Sequence, residues 1–124
     1  MSELARRKQE FRKRTKAYAS ATIRLYCSLP TSRTEVGVLA KQLLRSGTAV
    51  ASIYREASRA RSDADFVSKI DLCAQEADES MLWLELLRDD CRIRSQSLEW
   101  LLRESDELIA IFVTMARRVK AKPK

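Results

Sequence analysis

Between Gly47 and Pro123 the chain has neither glycine nor proline, and the whole sequence carries only two of each. These residues are the usual material of turns and strand connections, so a stretch this long without them must be built from helices joined by short polar links. The apolar residues agree. Val36, Leu39, Leu43, Val50, Ile53 and Ala57 recur at three- and four-residue steps, as do Phe66, Ile70, Cys73, Ala77, Leu84 and Leu87, which is the period of one buried helical face. Between the two runs, Ser62-Asp63-Ala64-Asp65 puts a serine at an N-cap with a carboxylate three residues on, and both acids oppose the helix dipole. The later helix therefore starts at about Asp63. The turn before it must be tight, so the two helices are expected to pack antiparallel as a hairpin.

The remaining elements fall on either side. Residues from about Glu3 to Ser28 form a first helix contributing Phe11, Tyr18, Ile23, Leu25 and Tyr26, stopped by Leu29-Pro30 because proline cannot continue a helix. Thr31 or Thr34 caps a second helix that runs to about Arg61. The third spans about Asp63 to Arg92, and Trp83 beside Leu84 makes its stripe wide enough to face both a neighbouring helix and another subunit. Ser95 or Ser97 caps a fourth over about 97–119, carrying Leu98, Leu101, Leu102, Leu108, Ile109, Phe112, Met115 and Val119. The expected fold is all-α: one domain over residues 1–124, an antiparallel up-down-up-down four-helix bundle. A composition 45% hydrophobic and 33% charged suits such a bundle with a well-solvated surface.

Within the second helix, Gly47 costs roughly 1 kcal/mol relative to alanine, so its presence implies close backbone approach by another helix, with a ligand or partner contact as the rival reading. Arg45, Arg55, Glu56, Glu76 and Glu79 lie beside the apolar stripes, where charges need partners, so they are expected to form ion pairs between helices or subunits. Cys27, Cys73 and Cys91 are odd in number, far apart and set among apolar neighbours, and read as reduced core residues. The chain has no histidine, which removes the commonest general base and metal ligand. Glu76, Asp78 and Glu79 in one turn are the nearest approach to a Mg²⁺ or acid–base cluster, but no phosphate-cradling glycine loop or activated nucleophile accompanies them. An enzyme is not expected, nor a metal or other cofactor.

Several local motifs go further. Arg45-Ser46-Gly47-Thr48, Tyr54-Arg55-Glu56-Ala57, Ala64-Asp65-Phe66, Glu76-Ala77-Asp78-Glu79 and Trp83-Leu84-Glu85-Leu86-Leu87 together resemble the signature of a bacterial four-helix bundle family. That family includes proteins encoded in intervening sequences of large-subunit ribosomal RNA genes. The chain departs from the pattern at Ala49, Ala51, Ser52 and Ile53, where the family has Ser, Gly, Ala and Asn. The resemblance implies a ring-like homopentamer, structural or interface roles for Arg45, Gly47, Tyr54, Arg55, Glu56, Asp65, Phe66, Glu76, Glu79 and Trp83, and no catalytic residues. It also implies kinship with the accessory variability protein of diversity-generating retroelements, a basic bundle that works with a reverse transcriptase and nucleic acid.

Charge carries most of the functional information. Residues 1–28 hold eight Lys or Arg against two acids, residues 117–124 five against none, and residues 29–116 eleven against fifteen, giving the overall +7. In an up-down-up-down bundle the two basic segments converge at one end. Two readings fit: an ordinary solvated face with a basic tail, or a rim for nucleic-acid phosphates built from Arg6, Arg7, Lys8, Arg12, Lys13, Arg14, Lys16, Arg117, Arg118, Lys120 and Lys122. Phe11 is the only aromatic interleaved with the densest cluster, so binding of RNA or DNA is expected through phosphates, without sequence preference. No apolar run reaches the ~18 residues of a membrane span, and the basic N-terminus lacks a signal peptide's apolar core. The expectation is a cytoplasmic, oligomeric scaffold or adaptor. The alternative is a purely structural protein–protein interaction module whose partner is another protein; a reverse transcriptase is the partner that the retroelement kinship implies.

Overall fold

The computed structural model describes residues 1–123. They form four α-helices: α1 (Glu3–Ser28), α2 (Thr34–Ser58), α3 (Asp63–Asp89) and α4 (Gln96–Lys120). Three starts are capped by serine hydroxyls, which accept from amides three residues on: Ser2 from Ala5 at 3.0 Å, Ser62 from Asp65 at 3.1 Å and Ser95 from Leu98 at 3.3 Å. Neither Thr31 nor Thr34 caps α2. Thr34 is already its first helical residue, and the N-cap position falls to Arg33, whose side chain instead reaches Glu35 at 2.9 Å. Two helices stop earlier than their apolar pattern suggested. The Arg59 amide turns back to Glu56 and Ala57 after Ser58, and beyond Asp89 the chain leaves the axis through Arg92, which holds a left-handed φ of 60°.

The stripes pack as their spacing dictates. Val36, Leu43, Val50 and Ala57 of α2, Ile70, Cys73, Ala77, Leu84 and Leu87 of α3, and Leu98, Leu101, Leu108 and Phe112 of α4 are buried. On α1 the buried face differs from the expected one: Ile23 is 47% exposed, and Thr15, Tyr18, Thr22 and Leu25 point inward. Cys27 is likewise exposed rather than in the core, while Cys73 and Cys91 are buried, and all three thiols are free.

A layer of hydroxyls crosses the interior, one from each helix: Tyr18, Ser46, Ser80 and Ser105, all fully buried. Tyr18 Oη lies 2.5 Å from Ser105 Oγ, and Ser46 Oγ lies 2.7 Å from Ser80 Oγ. Ser105 and Ser80 also donate to the Leu101 and Glu76 carbonyls of their own helices, so these buried hydroxyls avoid the ~1–3 kcal/mol cost of an unpaired polar group. Burial pushes the Tyr18 phenol's pKa up, and the Ser105 and Ser80 hydroxyls oppose that rise. Immediately after Ser46, Gly47 lets α2 approach α1 closely: a Cβ there would lie 2.7 Å from Thr22 Oγ1. Tight packing, not an open surface, accounts for this glycine. Beyond it, Tyr54 stacks on Phe112 at 6.2 Å and tilts against Phe11 at 6.1 Å.

The helices pack closely as α1 on α2, α2 on α3 and α3 on α4, whereas the backbones of α1 and α4 approach each other closely at few places. That seam is clasped at its middle by Arg14 and Tyr18. Among the described residues, no helix is long and apolar enough to cross a membrane.

Candidate nucleic-acid interface

The two basic segments do meet. A hollow of about 170 Å³ is lined by Leu4 and Lys8 from the start of α1, Tyr54 from the end of α2, Phe66 from the start of α3 and Arg118 from the end of α4. Its walls are mainly apolar, with Arg7, Lys8 and Arg118 as the charged members. Phe66 sits half-buried against the core, and Asp65 supplies the amide that Ser62 caps.

The eleven cations expected at the rim separate into different classes once placed. Arg14 is withdrawn from it: the guanidinium donates through Nε and Nη2 to both Glu104 oxygens at 2.9 and 2.8 Å and reaches Glu107 at 3.1 Å. Hydrogen bonding to Glu104 raises its already high pKa further. Arg6 and Arg7 share Glu3 at 3.5 Å, and Lys120 and Lys122 stand 3.8 and 3.7 Å from Asp71 and Asp63. These contacts are exposed and loose, each of a kind contributing ~0–1 kcal/mol. Lys8, Arg12, Lys13, Lys16, Arg117 and Arg118 have no carboxylate within ion-pair distance among the described residues. Lys124, counted with the basic tail, lies outside those residues.

The densest arrangement is on the flank where α1 meets α2. Arg12, Lys13 and Lys16 project from one face of α1, and Arg55 of α2 joins them around a hollow of about 270 Å³, with Gln9 completing the lining. It contains no acid. Arg55 was expected to pair, yet among the described residues it has no carboxylate in reach. Its neighbour Glu56 turns the other way and accepts from Lys69 at 3.2 Å. Four like charges without a counter-charge raise the local potential, and an arriving anion relieves that repulsion.

The other family-motif residues hold the helices together. Arg45 bridges Glu76 at 3.0 Å and Glu79 at 2.7 Å, fastening α2 to α3. Glu76 and Glu79 are thus engaged by a guanidinium, and among the described residues no cluster of three acids, cysteines or histidines could hold a metal. Tyr54 is core, its phenol pushed up to about 12 chiefly by burial. Trp83 is half-buried, and its indole Nε1 is buried with no hydrogen-bond partner. Sequence reasoning missed Arg55 as a member of the basic cluster, because it lies far along the chain from Arg12. The signal available was its place near the end of α2, which a short link brings back beside the start of α1.

The chain is similar to a crystal structure of a protein of unknown function from the S23 ribosomal protein family of Bacteroides thetaiotaomicron. The two share 31% identity and a TM-score of 0.76, over 85% of this chain and 96% of that one. Comparison with curated proteins gives no match. The model of the 23S rRNA-intervening sequence protein family matches residues 7–114. With the four helices and the Arg45 and Glu76 motifs in place, the chain belongs to the 23S rRNA-intervening sequence protein family.

Proposed function

We propose that this protein is a non-enzymatic scaffold, an antiparallel up-down-up-down bundle that self-assembles into a ring-like homopentamer and holds nucleic-acid phosphates without sequence preference. The observation that carries this reading is the acid-free hollow where Arg12, Lys13, Lys16 and Arg55 converge without ion-pair partners among the described residues. Phosphate contacts of this kind position a backbone and carry little sequence information. Arg118 adds a further cation beside Arg7 and Lys8 where the two basic segments meet, and a ring would repeat both places in every subunit. The printed names of the family and of the similar structure refer to ribosomal RNA and a ribosomal protein family, which favours RNA as the nucleic acid and a cytoplasmic setting.

The test is fluorescence anisotropy of labelled RNA and DNA oligonucleotides against salt. Each phosphate neutralised contributes roughly 0.9 to the log–log slope on a duplex and roughly 0.7 on a single strand. Replacing Arg12, Lys13, Lys16 and Arg55 together by Gln should flatten the slope by about 3 and weaken binding to every sequence alike. No binding by the wild type at low salt defeats the reading, and binding unchanged in the fourfold variant misplaces the surface. Light scattering should give a mass about five times the 14.2 kDa of the chain; a monomer at micromolar concentration removes the ring.

A further inference from the structure

Toward the start of α4 the poorly closed α1–α4 seam opens into a cavity of about 390 Å³ lined by Ala21, Arg24, Gln96, Ser97, Trp100 and Arg103. Ala21 contributes only a methyl group to the α1 wall, which leaves room beside the Arg24 side chain. The Trp100 side is a large aromatic left 38% exposed. Arg24 and Arg103 enter from two different helices, and among the described residues neither lies within ion-pair distance of a carboxylate. No acid lines the cavity. An adjoining hollow shares Gln96 and Arg103 and continues over the capped start of α4 past Arg94 and Ser95, with Glu99 as its one acid.

These groups ask for a ligand of two halves. An exposed indole face offers ~1–3 kcal/mol to a flat heterocycle that stacks on it, whatever the base. Paired guanidinium forks match the oxygens of a phosphate, and the positive end of the α4 dipole adds to their field. The Gln96 side-chain amide has both a donor and an acceptor for the edge of a base. The volume lies in the range of ~300–1,000 Å³ usual for small-molecule sites. We propose that this cavity binds a nucleoside phosphate, its base against Trp100 and its phosphates between Arg24 and Arg103. The site is separate from the Arg12–Arg55 hollow, which has no aromatic in its lining, and does not depend on nucleic-acid binding there.

The experiment is calorimetric titration of the full-length protein with ADP, with adenosine and pyrophosphate as the two half-ligands. Trp100 fluorescence provides a second signal, since the other indole, Trp83, has its Nε1 buried. ADP should bind and quench, and each half-ligand should bind at least about tenfold more weakly. Trp100→Ala and the double variant Arg24→Gln/Arg103→Gln should each lower ADP affinity by about tenfold or more, with helicity unchanged by circular dichroism, while Trp100→Phe keeps most of the binding. Absence of heat and quenching at millimolar ADP overturns the proposal, as does pyrophosphate binding as tightly as ADP. A Trp100→Ala variant that changes the molar mass yet leaves ADP binding intact assigns this face to contact between copies and overturns it equally.

Discussion

Replacing Gly47 by alanine sets two effects of opposite sign against each other. Helix propensity alone favours the change by ~1 kcal/mol, because glycine loses more backbone freedom on folding. The new Cβ, however, would lie 2.7 Å from Thr22 Oγ1, 2.8 Å from Thr22 Cγ2 and 3.1 Å from Thr22 Cβ, well inside the ~3.5–4.0 Å of a comfortable contact. Thr22 cannot swing aside. It is β-branched within a helix, fully buried, and its hydroxyl donates to the Tyr18 carbonyl at 2.9 Å, so few rotamers are open to it. Relief requires α1 and α2 to separate, and overpacking of this kind costs ~1–3 kcal/mol. The net expectation for Gly47→Ala is a loss of about 1 kcal/mol, or a Tm lower by roughly 4 °C.

A double-mutant cycle isolates the clash. Thr22→Ala removes the two nearest atoms, so Gly47→Ala should be neutral or stabilising in that background, with a coupling energy of ~1–2 kcal/mol. Gly47→Leu should cost more than Gly47→Ala, because the extra atoms enter the same gap. Urea unfolding followed by circular dichroism, at one fixed protein concentration to hold any self-association constant, gives all the terms. A Gly47→Ala protein more stable than the wild type, or single changes that add within ~0.5 kcal/mol, would refute the close approach as the reason for the glycine.

Native-state thiol titration should find one fast-reacting cysteine, the exposed Cys27, with Cys73 and Cys91 reacting only on unfolding; rapid modification of Cys73 contradicts the packing. Burial first, and then the charges of Glu56 and Glu76, push the Cys73 thiol from 9.0 up to about 12, and burial first pushes the Tyr54 phenol from 10.0 to about 12. Both groups stay protonated in the fold while the unfolded chain releases its protons. Stability should therefore be intact below pH about 9 and fall as pH rises toward 12, by up to ~1.4 kcal/mol per pH unit per group; Cys73→Ala should flatten the first part of that limb, and an unchanged pH profile counts against it. Arg14→Gln should strand Glu104, whose side chain is only 11% exposed, and cost ~1–3 kcal/mol, while leaving the salt slope for oligonucleotides unchanged; a flatter slope would return Arg14 to the phosphate surface.

The helices and most of the core were legible because leucine, valine and isoleucine mark a face directly. Capping at Ser62 was legible for a similar reason, since a serine before an apolar period has one obvious use, whereas at the fourth helix Ser95 and Ser97 compete for that use and only the structure selects Ser95. Ile23 shows where that signal fails. Its apolar side chain reads as inward, whereas the buried face of α1 runs through Thr15, Tyr18, Thr22 and Leu25, a helical period hidden by two residues that score as polar. Ser46, Ser80 and Ser105 were invisible for the same reason, as each becomes a core residue only when a partner hydroxyl arrives from another helix. The basic surface was legible as a quantity of charge but not as a list of residues. Arg14 and Arg12 are two residues apart, yet one faces Glu104 and the other faces Arg55, and only the packing of α1 against two different helices separates them.

The hydroxyl layer and the free cations are connected through register. Sliding one helix by a single residue turns its side chains by about 100°, which would carry Ser46 away from Ser80 or Tyr18 away from Ser105 and leave a buried hydroxyl unpaired. With that slide penalised, the outer charges have no choice of neighbour: Arg45 meets Glu76 and Glu79, Arg14 meets Glu104 and Glu107, and Lys69 meets Glu56. The same register places Arg55 beside Arg12, Lys13 and Lys16, where mutual repulsion works against the folded state and fades as salt shortens the Debye length from ~30 Å at 0.01 M to ~10 Å at 0.1 M. A polyanion removes that repulsion without any change of register. The binding free energy of a polyanion held there, as proposed above, would add to the stability of the fold, and the phosphate affinity proposed for this flank would then follow from how the interior hydroxyls align the four helices.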